Sequence, residues 1–120
     1  MMNKAGMEGA NGLVARYASA AALHGKATHH GDSDLANRSY EQLANIYRSL
    51  RERGERERLI PLLEDADPAV RSWAASHALE FASERAVSVL TALAAGPPSP
   101  ERLSAQMTLQ EWRKGHLKFP

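Results

Sequence analysis

The sequence contains no cysteine, which excludes disulfides, thiolate zinc sites and thiol nucleophiles together. It is also poor in the residues that favour strands. Val, Ile and Thr number nine in all, against 21 Ala and 14 Leu. Charge of one sign is missing too: 15 Lys and Arg face 14 Asp and Glu, a formal net charge of +1. That balance argues against a basic polyanion-binding domain, and 43% hydrophobic residues argue against a disordered chain. No apolar run approaches the about 18 residues of a membrane span. The start, Met1 to Gly12, lacks the apolar stretch of a secretory signal, so a cytoplasmic protein is expected. At 120 residues the chain is one domain, with 1–12 as a flexible segment and 13–120 as the folded part.

What is present favours helix throughout. Ala and Leu lose little freedom in a helix, whereas β-branched residues lose more. Gly and Pro then divide the chain into segments of one helix each. The first runs from about Leu13 to Thr28. The second runs from Asp34 to Arg53, capped by Asp32 or Ser33 and stopped at Gly54. Its apolar residues Leu35, Ala36, Tyr40, Leu43, Ile46, Tyr47 and Leu50, together with Ser39, span about 140° of the wheel. A short helix at Glu55–Leu63 carries Pro61, which predicts a kink or a late start. A fourth starts at Pro68, capped by Asp67, and reaches Phe81. A fifth, capped by Ser83, ends at Ala95. A sixth spans Pro100 to Lys114 and halts at Gly115. The expected fold class is all-α, with about six helices in three antiparallel hairpins.

The fourth helix is the most informative. Only Ser72, Ser76 and Glu80 form a polar arc, so its remaining faces need cover from two sides, as in a stacked helical repeat. Arg71 falls inside the apolar arc. A guanidinium there needs a partner, and side chains lean toward the helix N-terminus, where Asp65 and Asp67 lie. A structural ion pair of Arg71 with Asp65, Asp67 or a carboxylate of an adjacent hairpin is therefore expected. On the last helix, Trp112, Leu109 and Ala105 share one face, and Leu117 and Phe119 should extend its cover beyond Gly115.

The stretch from Leu59 to Arg71, with its Asp67-Pro68-Ala69-Val70-Arg71 order, followed by Ala74-Ala75 and Leu79, resembles a HEAT repeat. Nearly the whole chain also resembles a family of short bacterial proteins described as a domain of unknown function with HEAT-like helices. The residues carrying this are Ala36-Asn37-Arg38, Ile46-Tyr47-Arg48, Asp67 to Ala75 and Met107 to Gly115. The resemblance implies a HEAT-like α-α superhelix without an assigned reaction, of a shape often suspected to bind partners or neutralise toxins.

Several residues invite a functional reading. His24, His29, His30, Asp32 and Asp34 are rich in metal-ligand types. However, His24 and His29 are five apart rather than three or four, so a solvated helix end is the better reading. Arg48 to Arg58 holds five Arg interleaved with Glu52, Glu55 and Glu57, and the alternating signs cancel the field that nucleic acid requires. Within it Arg48 and Arg51 remain candidates for reading a protein partner. Trp73, on the border of the polar arc, and His77, four residues on, are the other candidates for partner binding. No Ser-His-Asp order, glycine-rich phosphate loop or acidic metal motif occurs. The expectation is no enzyme, no cofactor, no metal, no nucleic acid and no membrane. A non-catalytic interaction module, neutralising or sequestering a bacterial partner protein as a monomer or homodimer, is the leading reading. A structural homo-oligomer and a HEAT-like nucleic-acid-binding or repair protein are the alternatives.

Overall fold

The computed structural model describes residues 9–120, and within them every regular element is a helix. Five are α-helices: α1 (Ala10–His30), α2 (Ser33–Glu52), α3 (Pro68–Ala78), α4 (Ser83–Ala94) and α5 (Pro100–Lys114). Between α2 and α3 lies a 3₁₀ helix, Arg56–Glu64. Most of the expected flexible segment, residues 1–8, lies outside the described residues. Residues 10–12 form the first turn of α1, three residues earlier than Leu13.

Local chemistry accounts for most boundaries. The Asp32 carboxylate accepts from the Leu35 N–H at 3.1 Å and starts α2. Asp67 accepts from Ala69 N–H at 2.9 Å, with Pro68 in the first turn of α3, where a missing N–H costs nothing. Ser99 and Pro100 repeat the arrangement at α5. Gly54 and Gly115 close α2 and α5 with φ of 70° and 75°, a conformation in which a Cβ is strained. One expected cap is displaced. Ser83 is the first residue of α4, and Ala82 takes the cap position without a side-chain bond.

The third segment is 3₁₀ rather than α. Pro61 has no N–H to donate, and its ring would crowd the carbonyl four residues back in an α-helix. The apolar residues suit the tighter screw: Leu59 with Leu62, and Ile60 with Leu63, are three apart and stack in successive turns. All four pack on the core.

α1 and α2 form a hairpin through a two-residue turn, the 3₁₀ segment packs on α3, and α4 packs on both α3 and α5. α3 also touches α1 and α5, so it is the central helix. Its expected polar arc is covered in part: Ser72 is only 6% exposed and Ser76 is half-buried, while Glu80 is exposed. Small side chains let the neighbours come that close. A Cβ added at Gly25 of α1 would lie 2.6 Å from the Ala69 Cβ of α3. The core joins Leu13 and Tyr17 of α1, Leu43, Ile46, Tyr47 and Leu50 of α2, Ala74, Ala75 and Ala78 of α3, Leu90 of α4 and Leu109 of α5. Trp112, Leu117 and Phe119 are half-buried against it, as the spacing predicted.

Arg71 does reach back to the turn, but the expected ion pair with Asp65 or Asp67 is not what it makes. Its Nη1 donates to the carbonyl oxygens of Asp65 at 2.7 Å and Ala66 at 3.2 Å. The two carboxylates are turned to backbone N–H groups instead: Asp65 accepts from Asp67 and Asp67 from Ala69. Capping a helix satisfies donors that otherwise have no partner, and the guanidinium then closes the same turn from the other side.

Two substitutions test this packing. Gly25→Ala should destabilise by about 1–3 kcal/mol despite the better helix propensity of Ala, and adding Ala69→Gly should recover part of the loss in denaturant unfolding. Arg71→Ala should cost about 1–2 kcal/mol, the scale of charge-assisted bonds to half-exposed carbonyls. That is below the about 3–5 kcal/mol of an orphaned buried carboxylate.

Candidate functional site

The core has a polar centre. His77 on α3 is 4% exposed, and its Nδ1 lies 2.6 Å from the hydroxyl of Tyr17, a side chain of α1 with no exposed surface. The Tyr47 ring of α2 stacks on the imidazole, 4.3 Å between centroids at 18°. Burial raises the Tyr17 hydroxyl well above its ordinary pKa, with the nearby Tyr47 adding to the effect. Tyr17 therefore keeps its proton, and because this buried hydroxyl has no other acceptor among the described residues, we assign it as the donor to Nδ1, which places the proton of the neutral imidazole on Nε2. His77 itself is pushed down to about 4, chiefly by burial, with Glu80 opposing the fall and Arg51 adding to it.

From Tyr47 the network runs outward. Its hydroxyl donates to the Glu80 carboxylate in a short bond and lies 3.4 Å from the His77 carbonyl oxygen. Burial, then the bond to Glu80, raises the Tyr47 pKa. Glu80 in turn faces Arg51 at 3.5 Å and Arg56 at 3.2 Å. Partial burial alone would push its carboxyl upward, but the Tyr47 bond and the two guanidiniums outweigh it and hold it low. Arg51 also donates to the Pro120 carbonyl at 3.0 Å, which ties down the end of the chain.

A second aromatic group flanks the first. Trp73 Nε1 points at His24 Nδ1, 3.4 Å away, with the two rings edge to face. Burial lowers the His24 pKa, which suits an acceptor nitrogen. Tyr40, 46% exposed, lies 5.8 Å from Trp73 between centroids.

The residues singled out from the sequence thus divide. Trp73 is half-buried at a cavity edge, as its wheel position predicted. His77 cannot meet a protein partner because it is buried, and Arg51 is committed to Glu80 and Pro120. Arg48 is exposed and bonds only its own helix, at Asn45. The histidines and aspartates near the α1–α2 turn scatter: His24 goes to Trp73, His29 lies 3.3 Å from Glu101, and Asp32 caps α2. Tyr17, Tyr47 and Glu80 were not singled out. Both tyrosines lie on core-facing stripes, and only their partners 33 and 60 residues away give them a role.

One open space adjoins this centre, and a second lies apart from it. One, of about 150 Å³, lies between α3, α5 and the closing tail and is lined in part by Tyr40, Trp73, His77 and Phe119. The other, of about 430 Å³, is a mostly apolar groove between α3, α4 and the turn into α5. Leu63, Pro68, Val89, Ala92, Leu93 and Pro97 wall it, with Arg71 and Glu101 at its edges.

A family model for a domain of unknown function, DUF2019, matches residues 11–112. The chain belongs to that family. The match takes in the polar centre and the groove, and leaves out the tail from Arg113 to Pro120, which carries Phe119 over the smaller space. No curated protein and no solved structure matches the chain. Among the described residues no helix is long and apolar enough to cross a membrane, and no three His, Asp or Glu side chains form a group able to hold a metal.

The buried imidazole makes stability depend on pH. An unfolded histidine binds a proton below its ordinary pKa of 6.5, whereas folded His77 resists protonation down to about 4. Its contribution is therefore complete above pH 6.5 and is lost as the pH falls toward 4, by on the order of 3 kcal/mol. His77→Gln, which keeps an acceptor for Tyr17, should flatten that part of the profile when unfolding free energies are compared at pH 7 and 4.5.

Proposed function

We propose that the protein is a non-catalytic, HEAT-like interaction module that holds a partner protein, and so sequesters it rather than transforming it. The observation that carries this reading is the 430 Å³ apolar groove between α3 and α4. Monomeric domains seldom leave such concave apolar surface open unless something occupies it. Its walls fit an apolar side chain of a partner. The N–H groups that Arg71 does not spend on the Asp65 and Ala66 carbonyls are available to a carbonyl or carboxylate beside it. The hairpin order and the Asp67-Pro68 turn favour HEAT-like stacking. The engagement of His77 by Tyr17 and Tyr47 favours a structural histidine over a general base.

One feature favours the homo-oligomer as the second reading. Leu103 and Met107, four apart on α5, are 58% and 57% exposed and form an apolar ridge on one face.

Cross-linking in the native host separates the two. A photo-reactive amino acid in place of Ala92, which is exposed at the groove, should give a discrete adduct whose mass is not that of a dimer. The same group in place of Arg48 should not, and Val89→Asp should abolish the Ala92 adduct. Dimer-mass adducts alone would favour self-assembly, and equal labelling from Ala92 and Arg48 would overturn the groove as the binding surface.

A further inference from the structure

We propose that the 150 Å³ space beside His77 is a binding site for a small monocyclic carboxylate, a ligand of benzoate size and charge. The volume is that of a cavity that accepts a single six-membered ring. Rings line it from three elements: Tyr40 on α2, Trp73 on α3 and Phe119 on the tail. The Trp73 ring is already fixed edge-on to His24, so this wall exists without a ligand. An aromatic ring entering here meets aromatic edges and faces, the contact geometry such rings favour.

The polar groups select the charge. His77 lines the space, and its Nδ1 is taken by Tyr17. Its Nε2–H has no partner among the described residues. Among the described residues, Ser39 Oγ is the one buried side-chain polar atom that lacks a partner while sealed from solvent. The Nε2–H of His77 is therefore not sealed, and His77 is a lining residue of this cavity. Ser72 is 6% exposed, has no side-chain bond and lines this cavity as well as the adjoining hollow toward Glu101. Two buried residues that carry donors thus line one small space, and Lys118 adds a cation to its lining. No Asp or Glu lines it among the described residues. A carboxylate would accept from all three groups, whereas an ammonium would meet Lys118 with nothing to offset it.

The Tyr17 bond also prepares the site. By donating to Nδ1 it fixes the imidazole tautomer with Nε2–H as the donor, and Tyr47 holds the ring plane. Donor direction is then set before a ligand arrives, which removes an ordering cost from binding.

The full chain, labelled with ¹⁵N, tests this by titration with benzoate, benzylamine and acetate, reading the His77 ring nitrogens and the Trp73 indole by NMR. Benzoate should shift both residues and saturate in the millimolar range or tighter. Benzylamine should not bind, and acetate, which lacks the ring, should bind at least about tenfold more weakly. Lys118→Ala, an exposed tail position, and Ser72→Ala should each weaken benzoate by about fivefold to tenfold while leaving the unliganded spectrum of the core in place. Unmoved His77 and Trp73 signals at about 10 mM benzoate, equal binding of benzylamine, or indifference to both variants would overturn the site.

Discussion

The imidazole of His77 is the constraint on which the rest of the structure depends. It sits on the central helix, takes a hydrogen bond from Tyr17 of α1 and carries the Tyr47 ring of α2 on its face. Each bond of this kind contributes only about 1 kcal/mol net, but leaving either partner buried without the other would cost about 1–3 kcal/mol. The arrangement therefore acts less as glue than as a gauge. Alternative registers of α1 or α2 against α3 would strand a buried hydroxyl or ring nitrogen, so the register is fixed along with the packing.

A central helix in so small a protein needs close neighbours on nearly every side, and the alanines of α3 provide for them. Ala69, Ala74, Ala75 and Ala78 are buried and add little width. The closest approach, Gly25 to Ala69, brings the C-terminal half of α1 against the first turn of α3. The bulk comes from the elements packed around α3, where Tyr17, Leu43, Tyr47, Leu50, Leu59 and Leu90 are fully buried. Ser39 Oγ, sealed without a partner, marks a place where small size was kept at the expense of a hydrogen bond.

How much of this was legible in the sequence follows from the range of each interaction. Caps and stops are local, so Asp67-Pro68, Ser99-Pro100, Gly54 and Gly115 could be read from residue order alone. Helix faces were legible too, since periodicity reports which stripe is apolar. Where the reading failed, two local solutions competed or the partner was distant. Arg71 satisfies turn carbonyls because Asp65 and Asp67 already serve backbone donors, a division of roles that spacing cannot express. Arg51 lies in an alternating run and reads from the sequence as a candidate for a protein partner. Its commitment to Glu80 and Pro120 depends on α2 lying beside the end of α3 and the tail.

The same distinction explains where the open surfaces lie. The two spaces described above both form where a connector must span a gap. The groove lies by the proline-rich turn between α4 and α5, whose Pro97 cannot continue a helix and holds the chain away from α3. The smaller space lies under the tail beyond Gly115, which is drawn across α3 and α5 by Phe119 and by the bond from Arg51 to Pro120. The network that orders the core thus also holds the cover of the cavity. Through Tyr47, Glu80 and Arg51 it runs from the buried imidazole to the last residue of the chain. A change at the buried end that freed Glu80 would loosen the grip of Arg51 on the tail. The rigidity of the core and the shape of this surface are in that sense one property.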